Sequence, residues 1–469
     1  LFVLAATLCL PALAAGMTRG EARYLLARTG FGGTAVEIEQ LAGMGYAQGV
    51  MGILENTRTQ PQIRAPAWVD DPPPDFRKLR GMSEHERRSF RKRRHAQGLD
   101  LKAWWYQQMI HSDSPLTERM TLFWHNHFTS ALRKVKWPTL MYRQNLLLRR
   151  HALGNFRELL HAVSKDTAMI LYLDNQSNRK GKPNENFARE VMELFTLGEG
   201  NYSERDIKEA ARAFTGWTVE RRSGQFHFNP RRHDPGSKTF MGRTGKFDGD
   251  DILDIVLDRR RVAVYITEKL WREFVSDDLN RQEIKRLADI FRTADYEIKP
   301  LLQALLMSPS FRAAENRGTL IKSPVDLIVG TVHVLNIPVR DARLLARAGR
   351  YLGQDILDPP NIKGWPGGAA WITSSTLLAR QRFLGRIVRA SERLERSNPR
   401  DRNVLPMIMR AADMEPGFTG VASDHDSNLT TENLQDVLLP VSPVSPAPST
   451  LNLFTLVGYL VLDPVYQLK

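Results

Sequence analysis

Helix-start signals recur along the whole chain and constrain its fold more than any other feature. Ser83 with Glu86 forms a capping box, in which each side chain accepts a hydrogen bond from the other residue's backbone N–H. Ser-Pro pairs beginning at Ser114 and Ser323 mark further helix starts, because proline is favoured at the first helical position. We therefore predict a mainly α protein, built as a large multi-helix orthogonal array.

The pattern changes once, near residues 218–242. Residues 218–220 and 226–228 are short β-prone segments separated by Arg-Arg-Ser-Gly-Gln, which predicts a small β-hairpin insertion. The loop that follows the hairpin contains His233 and Asp234, and helical patterns resume after it.

Residues 1–14 predict a signal peptide. The run is apolar and ends in small residues at Ala12 and Ala14, as at a cleavage site. It is shorter than the ~20 apolar residues of a spanning helix, so we expect export to the periplasm or extracellular space and no transmembrane span in the mature chain. The single cysteine, Cys9, lies in this run, so the exported chain lacks disulfides and cysteine-bound metals.

Composition divides the remaining chain into four parts. An N-terminal helical segment with a Pro-rich linker is predicted at 15–75, and a helical core that includes the hairpin at 76–393. A polar Pro/Ser-rich segment follows at 394–451. The C-terminal helix at 452–469 should dock onto the core.

The formal net charge is +14, and much of it is local. Between Arg77 and Arg94 the basic residues are Arg77, Lys78, Arg80, Arg87, Arg88, Arg91, Lys92, Arg93 and Arg94. Behind a signal peptide, such a run indicates an anionic envelope component or polymer, or another exported protein, rather than nucleic acid. The alternative is a solvated basic helix face with no partner.

The segment at 174–198 is the strongest candidate for a functional site. A polar loop leads into a predicted helix on which Asn186, Glu190 and Glu193 share one stripe, since residues at i, i+4 and i+7 lie on the same face. Two inward carboxylates can bind a divalent ion or act as an acid–base pair.

A second interpretation of this helix remains open. Arg189 can pair with Glu185 and Glu193 at i+4 spacing, which would make the stripe an exposed face held by ion pairs of a few tenths of a kcal/mol each. We also consider Asn184, Asn186 and Arg189 to be candidate binding residues.

Two histidines, His125 and His127, lie in the helix that starts at Ser114. At i, i+2 spacing they point ~200° apart, so only one of them can face a given site. His127 shares a face with aromatic residues, and it can be either a hydrogen-bonded core residue or a ligand. His233 and Asp234 can be functional loop residues, or Asp234 can simply form the turn before a proline.

The leading hypothesis is a divalent-metal site with a hydrolytic role, the metal being undetermined. Its candidate ligands are His125, His127, Glu190, Glu193 and His233. Glu190, Glu193 or Asp234 would activate water. The alternative is a non-catalytic envelope binding or assembly module that uses the basic surface, including Arg91, Lys92, Arg93 and Arg94. Glycine-rich phosphate loops, GxSxG and HExxH are absent from the sequence.

Several ordered motifs resemble those of one family. They are FWHNHF (123–128), PNENFAREVMELFTLG (183–198), ARAFTGW (211–217), FHFNPRRHDPGSKTFMG (226–242), PPNIKGWPGG (359–368), SSTLLARQRF (374–383) and DPVYQLK (463–469). Together they are similar to the bacterial exported family known as domain of unknown function 1800. The resemblance implies a mainly helical exported protein, often encoded beside another exported family, with no settled activity. Family members often carry His where this chain has Phe195, so that position supplies no ligand here.

Overall fold

Helices dominate the structure. The computed structural model describes residues 16–71, 81–220, 223–396, 431–448, 451 and 453–469. These residues form 21 α-helices and two small two-stranded sheets, so the predicted mainly α fold is confirmed. The predicted signal peptide, the first part of the basic run and most of 394–451 lie outside the described residues.

The helices follow one another with short connections. In the first half they are Arg19–Thr29, Ala35–Ala42, Tyr46–Glu55, Glu84–His111, Pro115–His127, Leu132–Val135, Pro138–Arg150, Phe156–Ser164, Thr167–Tyr172, Asn186–Glu190 and Glu204–Ala213. In the second half they are Gly249–Leu257, Arg260–Phe274, Arg281–Thr293, Ile298–Leu306, Pro309–Arg312, Pro324–Val334, Arg343–Tyr351, Ser374–Arg396, Thr431–Leu438 and Leu453–Leu462. The capping box predicted at Ser83 is present, and its helix continues through Gly98 to His111 without a break.

The predicted β-hairpin is confirmed. Trp217–Val219 pairs antiparallel with Phe226–Phe228, and Thr218 lies opposite His227. Trp217 is buried and packs edge-on against the ring of Phe226, which attaches the hairpin to the core.

A second hairpin, absent from the predicted elements, follows directly. Lys238–Phe240 pairs with Arg243–Gly245 through a turn in which Met241 and Gly242 have φ angles of 46° and 82°. Two positive φ angles match the right-handed twist of the strands, and Asn-Gly is the usual sequence for such a turn. Because methionine stands in place of asparagine, the sequence signals this turn only weakly.

One hydrophobic cluster extends through the described chain, from Met17 in the first helical segment to Tyr466 near the C-terminus. Trp105 and Trp124 are among its largest fully buried side chains. Burial of each large apolar side chain contributes roughly 1.5–3 kcal/mol, so this cluster fixes the helices that carry the polar side chains described below. Among the described residues, no helix has both the length and the apolar character needed to cross a bilayer.

A buried ion-pair network joins three helices and the C-terminal segment. Arg119 donates to Asp326 and, at 2.6 Å, to Glu273, while Lys469 Nζ lies 2.9 Å from Asp326. Burial alone would raise the pKa of Asp326, but Arg119 and Lys469 outweigh it and hold that pKa far below its ordinary value. The network fixes the relative positions of helices Pro115–His127, Arg260–Phe274 and Pro324–Val334.

Candidate functional site

The helix carrying the two candidate glutamates is not a continuous α-helix. It has an α-helical turn at Asn186–Glu190 and then a π-helical segment at Val191–Thr196; we call the two together the Glu190 helix. The prediction of one regular α-helical stripe is therefore wrong for Glu193, because residues turn by less than 100° each in a π-helix. Short π segments occur frequently at functional sites.

Glu190 occupies an unusual environment for a carboxylate. Its side chain is half-buried, and it forms no hydrogen bond or ion pair with any residue that the structure describes. Burial first, and then repulsion by Glu193, raises the pKa of Glu190 to about 7, against opposing effects of Arg189 and Lys363. Glu190 can therefore hold a proton near neutral pH.

Glu193 differs from its neighbour because it has a partner. The hydroxyl of Tyr202 donates a hydrogen bond of 2.8 Å to its carboxylate. Arg189 does not pair with Glu193; it pairs with Glu204 at 2.9 Å and with Glu185 at 3.5 Å. The exposed ion-pair interpretation thus describes Arg189 and Glu185, and it does not describe the two candidate glutamates.

The candidate asparagines shape the loop before this helix. Asn184 accepts a hydrogen bond from the backbone N–H of Asn186 at 3.1 Å, and its own N–H donates to Asn178 at 2.9 Å. The side-chain amide of Asn184 also donates to the carbonyl of Asp174 at 3.3 Å. Asn186 is exposed and contacts neither glutamate through a hydrogen bond.

His127 is buried with a defined tautomer. Its Nε2 lies 3.0 Å from the carbonyl oxygen of Phe195 in the Glu190 helix, and since a carbonyl only accepts, Nε2 carries the hydrogen. Burial, and then the nearby Lys269, lowers the pKa of His127 well below its ordinary value, so the ring is neutral. Nδ1 therefore holds a lone pair, and this buried atom has no hydrogen-bond partner among the described residues.

His125 lies on a different side of the same helix. Its Nε2 accepts a hydrogen bond of 3.2 Å from the backbone N–H of Leu357, and its ring contacts Trp105 and Trp365. Burial lowers the pKa of His125 to about 3. These contacts make His125 a neutral core residue with one nitrogen already engaged.

The His233 loop forms a separate cluster. Nδ1 of His233 donates to the carbonyl of Thr215 at 2.9 Å, and Asp234 pairs with Arg212 at 2.8 Å. The Arg212 guanidinium holds the pKa of Asp234 below its ordinary value. Within the described residues, no hydrogen bond or ion pair joins His233 or Asp234 to Glu190; their partners are Thr215 and Arg212.

A cleft of about 330 Å³ opens beside His127, and we call it the His127 cleft. Its lining includes Phe123, Asn126, His127, Lys269, Lys363 and Trp365. Burial lowers the pKa of Lys269 to about 8, and its ammonium lies 5.1 Å from the ring centre of Tyr265. Lys363 interacts electrostatically with Glu190, so the cleft and the Glu190 helix are neighbours.

The loop at 359–368 forms one wall of the cleft, because it is hydrogen-bonded to the end of helix Pro115–His127. Oδ1 of Asn126 accepts a hydrogen bond of 2.7 Å from the backbone N–H of Trp365. Gly364 has a φ of 80°, and a Cβ there would lie 2.2 Å from the same Asn126 oxygen. The contact therefore requires glycine, and it joins the segments at 123–128 and 359–368. The hydrogen bond between His127 and Phe195 joins the segment at 183–198 to the same helix.

The candidate metal ligands do not form a metal site. In the described part of the chain, no group of three or more His, Cys, Asp or Glu side chains is placed to hold an ion. Lys363 lies near enough to Glu190, and Lys269 near enough to His127, to lower their pKa values, and these positive charges oppose the binding of a divalent cation. These residues do not fit the divalent metal expected from the sequence.

Three neighbours of the site are missing from the sequence-based candidates: Tyr202, Lys269 and Lys363. Lys363 lies within the motif PPNIKGWPGG. A charged side chain among apolar and turn-forming residues is the sequence signal that could have identified it. Lys269 occupies an ordinary amphipathic helix, and only its position beside His127, more than a hundred residues away in sequence, makes it notable.

The described part of the basic run occupies the first turns of helix Glu84–His111. Arg91, Lys92 and Arg93 are exposed, while the Arg94 guanidinium lies 4.8 Å from the ring centres of Phe90 and Trp137. Trp137 also lines an open groove of about 600 Å³, together with Arg133, Lys134 and Lys136. The basic helix and this groove therefore adjoin at Trp137 and form one continuous surface of positive net charge, in which Lys134 is paired with Asp174 at 2.8 Å.

Comparison with protein families gives one result. The model of the family described as "Protein of unknown function (DUF1800)" matches residues 24–467, which is nearly the full chain. Comparison with curated proteins and with solved structures finds no match.

Proposed function

Because the chain belongs to the DUF1800 family, whose description gives no function, we propose from its own residues that it is an exported acid–base enzyme of hydrolytic type. Glu190 and Glu193 are the working pair. The observation that carries the proposal is the contrast between them: Glu190 is half-buried and has no hydrogen-bond or ion-pair partner in the described part of the chain, and Glu193 is held by Tyr202.

The contrast assigns different roles to the two carboxyl groups. With its pKa raised to about 7, Glu190 keeps a proton that it can donate to a leaving oxygen. Glu193, whose carboxylate is held by the Tyr202 hydroxyl, is the group that accepts a proton from the attacking water in this proposal. Two carboxyl groups in different environments, one donating and one accepting a proton, are the arrangement that acid–base hydrolysis uses. The chemistry needs no metal ion.

The first test compares Glu190→Gln with wild type on chromogenic glycosides and esters and on isolated envelope polysaccharide. We expect hydrolysis by the wild type to decline above pH about 7, where Glu190 loses its proton. Glutamine cannot transfer that proton, so the variant should lose roughly 10²–10⁴-fold in rate. Glu185→Gln removes a nearby carboxylate that pairs with Arg189 rather than with either working glutamate, and it should retain activity.

An NMR titration tests the premise without a substrate. In protein labelled at the glutamate side-chain carboxyl carbons, the signal lost in Glu190→Gln should titrate near pH 7. A midpoint at the ordinary value of 4.5 would remove the basis of the proposal, whatever the substrate panel shows.

A non-catalytic binding role is the second candidate, and the continuous positive surface supports it. Arg91, Lys92 and Arg93 project from the helix whose Arg94 stacks on Trp137 at the border of the basic groove. An anionic envelope polymer would be held there by charge, so binding should weaken at high salt.

Retention on immobilised polygalacturonate tests this second candidate. The triple variant Arg91→Glu, Lys92→Glu, Arg93→Glu should elute at clearly lower salt than wild type. Arg281→Glu with Lys285→Glu and Arg286→Glu, which reverses the same number of exposed charges on another helix, is the control and should elute later than the first variant. Equal elution of both variants would show that net charge alone, and no defined surface, causes retention.

A further inference from the structure

Nδ1 of His127 has no hydrogen-bond partner among the described residues, which suggests a ligand that carries a hydrogen-bond donor. Nε2 is committed to the carbonyl of Phe195, which leaves the Nδ1 lone pair as an acceptor. The side chain is only 4% exposed, and it lines the His127 cleft. A buried polar atom without a partner costs about 1–3 kcal/mol, so a ligand hydroxyl that donates to Nδ1 would recover a hydrogen bond that the fold leaves unmade.

The charges around the cleft favour an anion. At one end Arg119 and Lys469 are neutralised by Asp326 and Glu273 within the buried network. The remaining lining charges are three cations, Lys269, Arg272 and Lys363, against the single carboxylate of Asp277.

These three cations are available to a ligand. No hydrogen bond or ion pair joins Lys269, Arg272 or Lys363 to a carboxylate within the described residues. The deficit of negative charge in a partly enclosed space attracts an anionic group and strengthens its contacts relative to open water.

Aromatic side chains form the apolar walls. Phe123, Trp365 and Trp371 line the cleft, and the volume of about 330 Å³ suits a small molecule rather than a polymer segment. Flat aromatic walls beside polar groups accommodate a compact ring that has apolar C–H faces and polar edges.

We propose that the His127 cleft binds a hydroxylated organic anion, a sugar acid or a sugar phosphate. A ligand hydroxyl donates to Nδ1 of His127, and the carboxylate or phosphate lies among Lys269, Arg272 and Lys363. Neither Glu190 nor Glu193 takes part, so this site stands if the proposed hydrolysis fails.

Imidazole NMR reports on the histidine directly. In protein with ¹⁵N-labelled histidine, D-glucuronate or D-glucose 6-phosphate should shift the Nδ1 resonance of His127, because a lone-pair nitrogen responds strongly to a donated hydrogen bond. His125 is the internal control, since its Nε2 already accepts from Leu357 and it does not line the cleft. The sugar that shifts the resonance at lower concentration identifies the preferred anionic group.

Simpler probes separate the two halves of the ligand. Glucose has the hydroxyls without the charge, and acetate has the charge without a hydroxyl, so each should bind at least about tenfold more weakly than the better of the two sugar anions. Glucose binding as tightly would overturn the role of the cations. Acetate shifting Nδ1 as strongly would overturn the role of the hydroxyl.

A charge variant gives an independent measurement by calorimetry. Lys269→Met keeps the length of the side chain and removes its charge, and it should weaken binding of the better sugar anion at least about tenfold. Lys285→Met, on an exposed face of another helix, should bind as wild type does. If Lys269→Met is unstable, the Nδ1 shift in the unmodified protein decides, and no shift with either sugar anion refutes the proposal.

Discussion

At the scale of single residues, Glu190 links the proposed chemistry to stability. Its folded pKa of about 7 lies above the ordinary value of 4.5, so between those values the folded state binds more protons than the unfolded state. The free energy of unfolding therefore falls as pH rises through this window, and above it the charged carboxylate is a constant cost. The protein retains a residue that weakens it at neutral pH, as expected for a functional group.

We predict that Glu190→Gln is more stable than wild type at pH 8 and equally stable at pH 4, below both the folded and the unfolded pKa of Glu190. Glutamine resembles the protonated acid and has no charge to bury, and after a discount for partial exposure the gain should be about 1 kcal/mol. Urea unfolding at the two pH values measures it. Glu158→Gln, whose side chain is 70% exposed, should show no such pH-dependent gain. A variant less stable than wild type at both pH values would contradict the assigned pKa.

Asp326 shows the opposite behaviour, because its charge is required by the fold. It is the shared partner of Arg119 and Lys469, and all three side chains are buried. Asp326→Asn leaves two cations without sufficient compensation and should destabilise the protein by about 3–5 kcal/mol in denaturant unfolding. Asp295→Asn, at a side chain that is 81% exposed, should change stability by less than about 0.5 kcal/mol.

At the scale of elements, the loop at 359–368 contains three glycines with positive φ angles, and Gly364 and Gly367 form a pair in which the surroundings of the two residues differ. Gly364 and Gly367 both have positive φ angles, 80° and 74°, but only Gly364 faces a neighbour, the Asn126 oxygen. Alanine at either position would destabilise the fold by roughly 1–2 kcal/mol, because it must adopt the left-handed conformation. Gly364→Ala must also displace Asn126 or the loop.

We predict that Gly364→Ala lowers the free energy of unfolding by about 1–3 kcal/mol more than Gly367→Ala does. The fluorescence of Trp365 should also change in the first variant only, because its backbone hydrogen bond to Asn126 is broken. Similar losses in the two variants would mean that conformational strain alone determines the cost, and that the Asn126 contact contributes little.

The elements also show what the sequence could predict. Capping residues such as Ser83 and a hairpin with β-prone strands are local signals, so these elements were predictable. The hairpin around Met241 and the π segment at Val191–Thr196 were not. The hairpin turn has methionine where asparagine would signal it. The π segment depends on packing around the Glu190 helix, which no short stretch of sequence contains.

The candidate site was predictable only in part, for the same reason. The polarity of Glu190 and Glu193 and the aromatic setting of His127 are visible in the sequence. That His127 donates to Phe195, and that Lys269 lies next to it, are long-range facts that only the fold supplies. The described residues contain no group of three or more metal-ligand side chains, and the sequence showed ligand types without showing the lysines that lie near them.

At the scale of the whole molecule, the absence of a metal-ligand cluster in the described residues leads to a measurement. We predict that dialysis against EDTA leaves the melting temperature unchanged and that the purified protein holds no stoichiometric Zn²⁺, Mn²⁺ or Ca²⁺. Loss of an ion normally removes its contribution to folding, so a metal centre would show itself as a fall in melting temperature. A stoichiometric ion whose removal destabilises the protein would contradict this prediction.

The bond between Asn126 and Trp365 also has a consequence for synthesis, since 239 residues separate its partners. At roughly 5–20 residues per second, a ribosome needs on the order of 10–50 s to make the intervening chain. During that time the helix at 115–127 exists without the loop that closes over its end. The cleft is therefore among the last parts of the molecule that can form, and a ligand can meet it only after translation has passed Trp365.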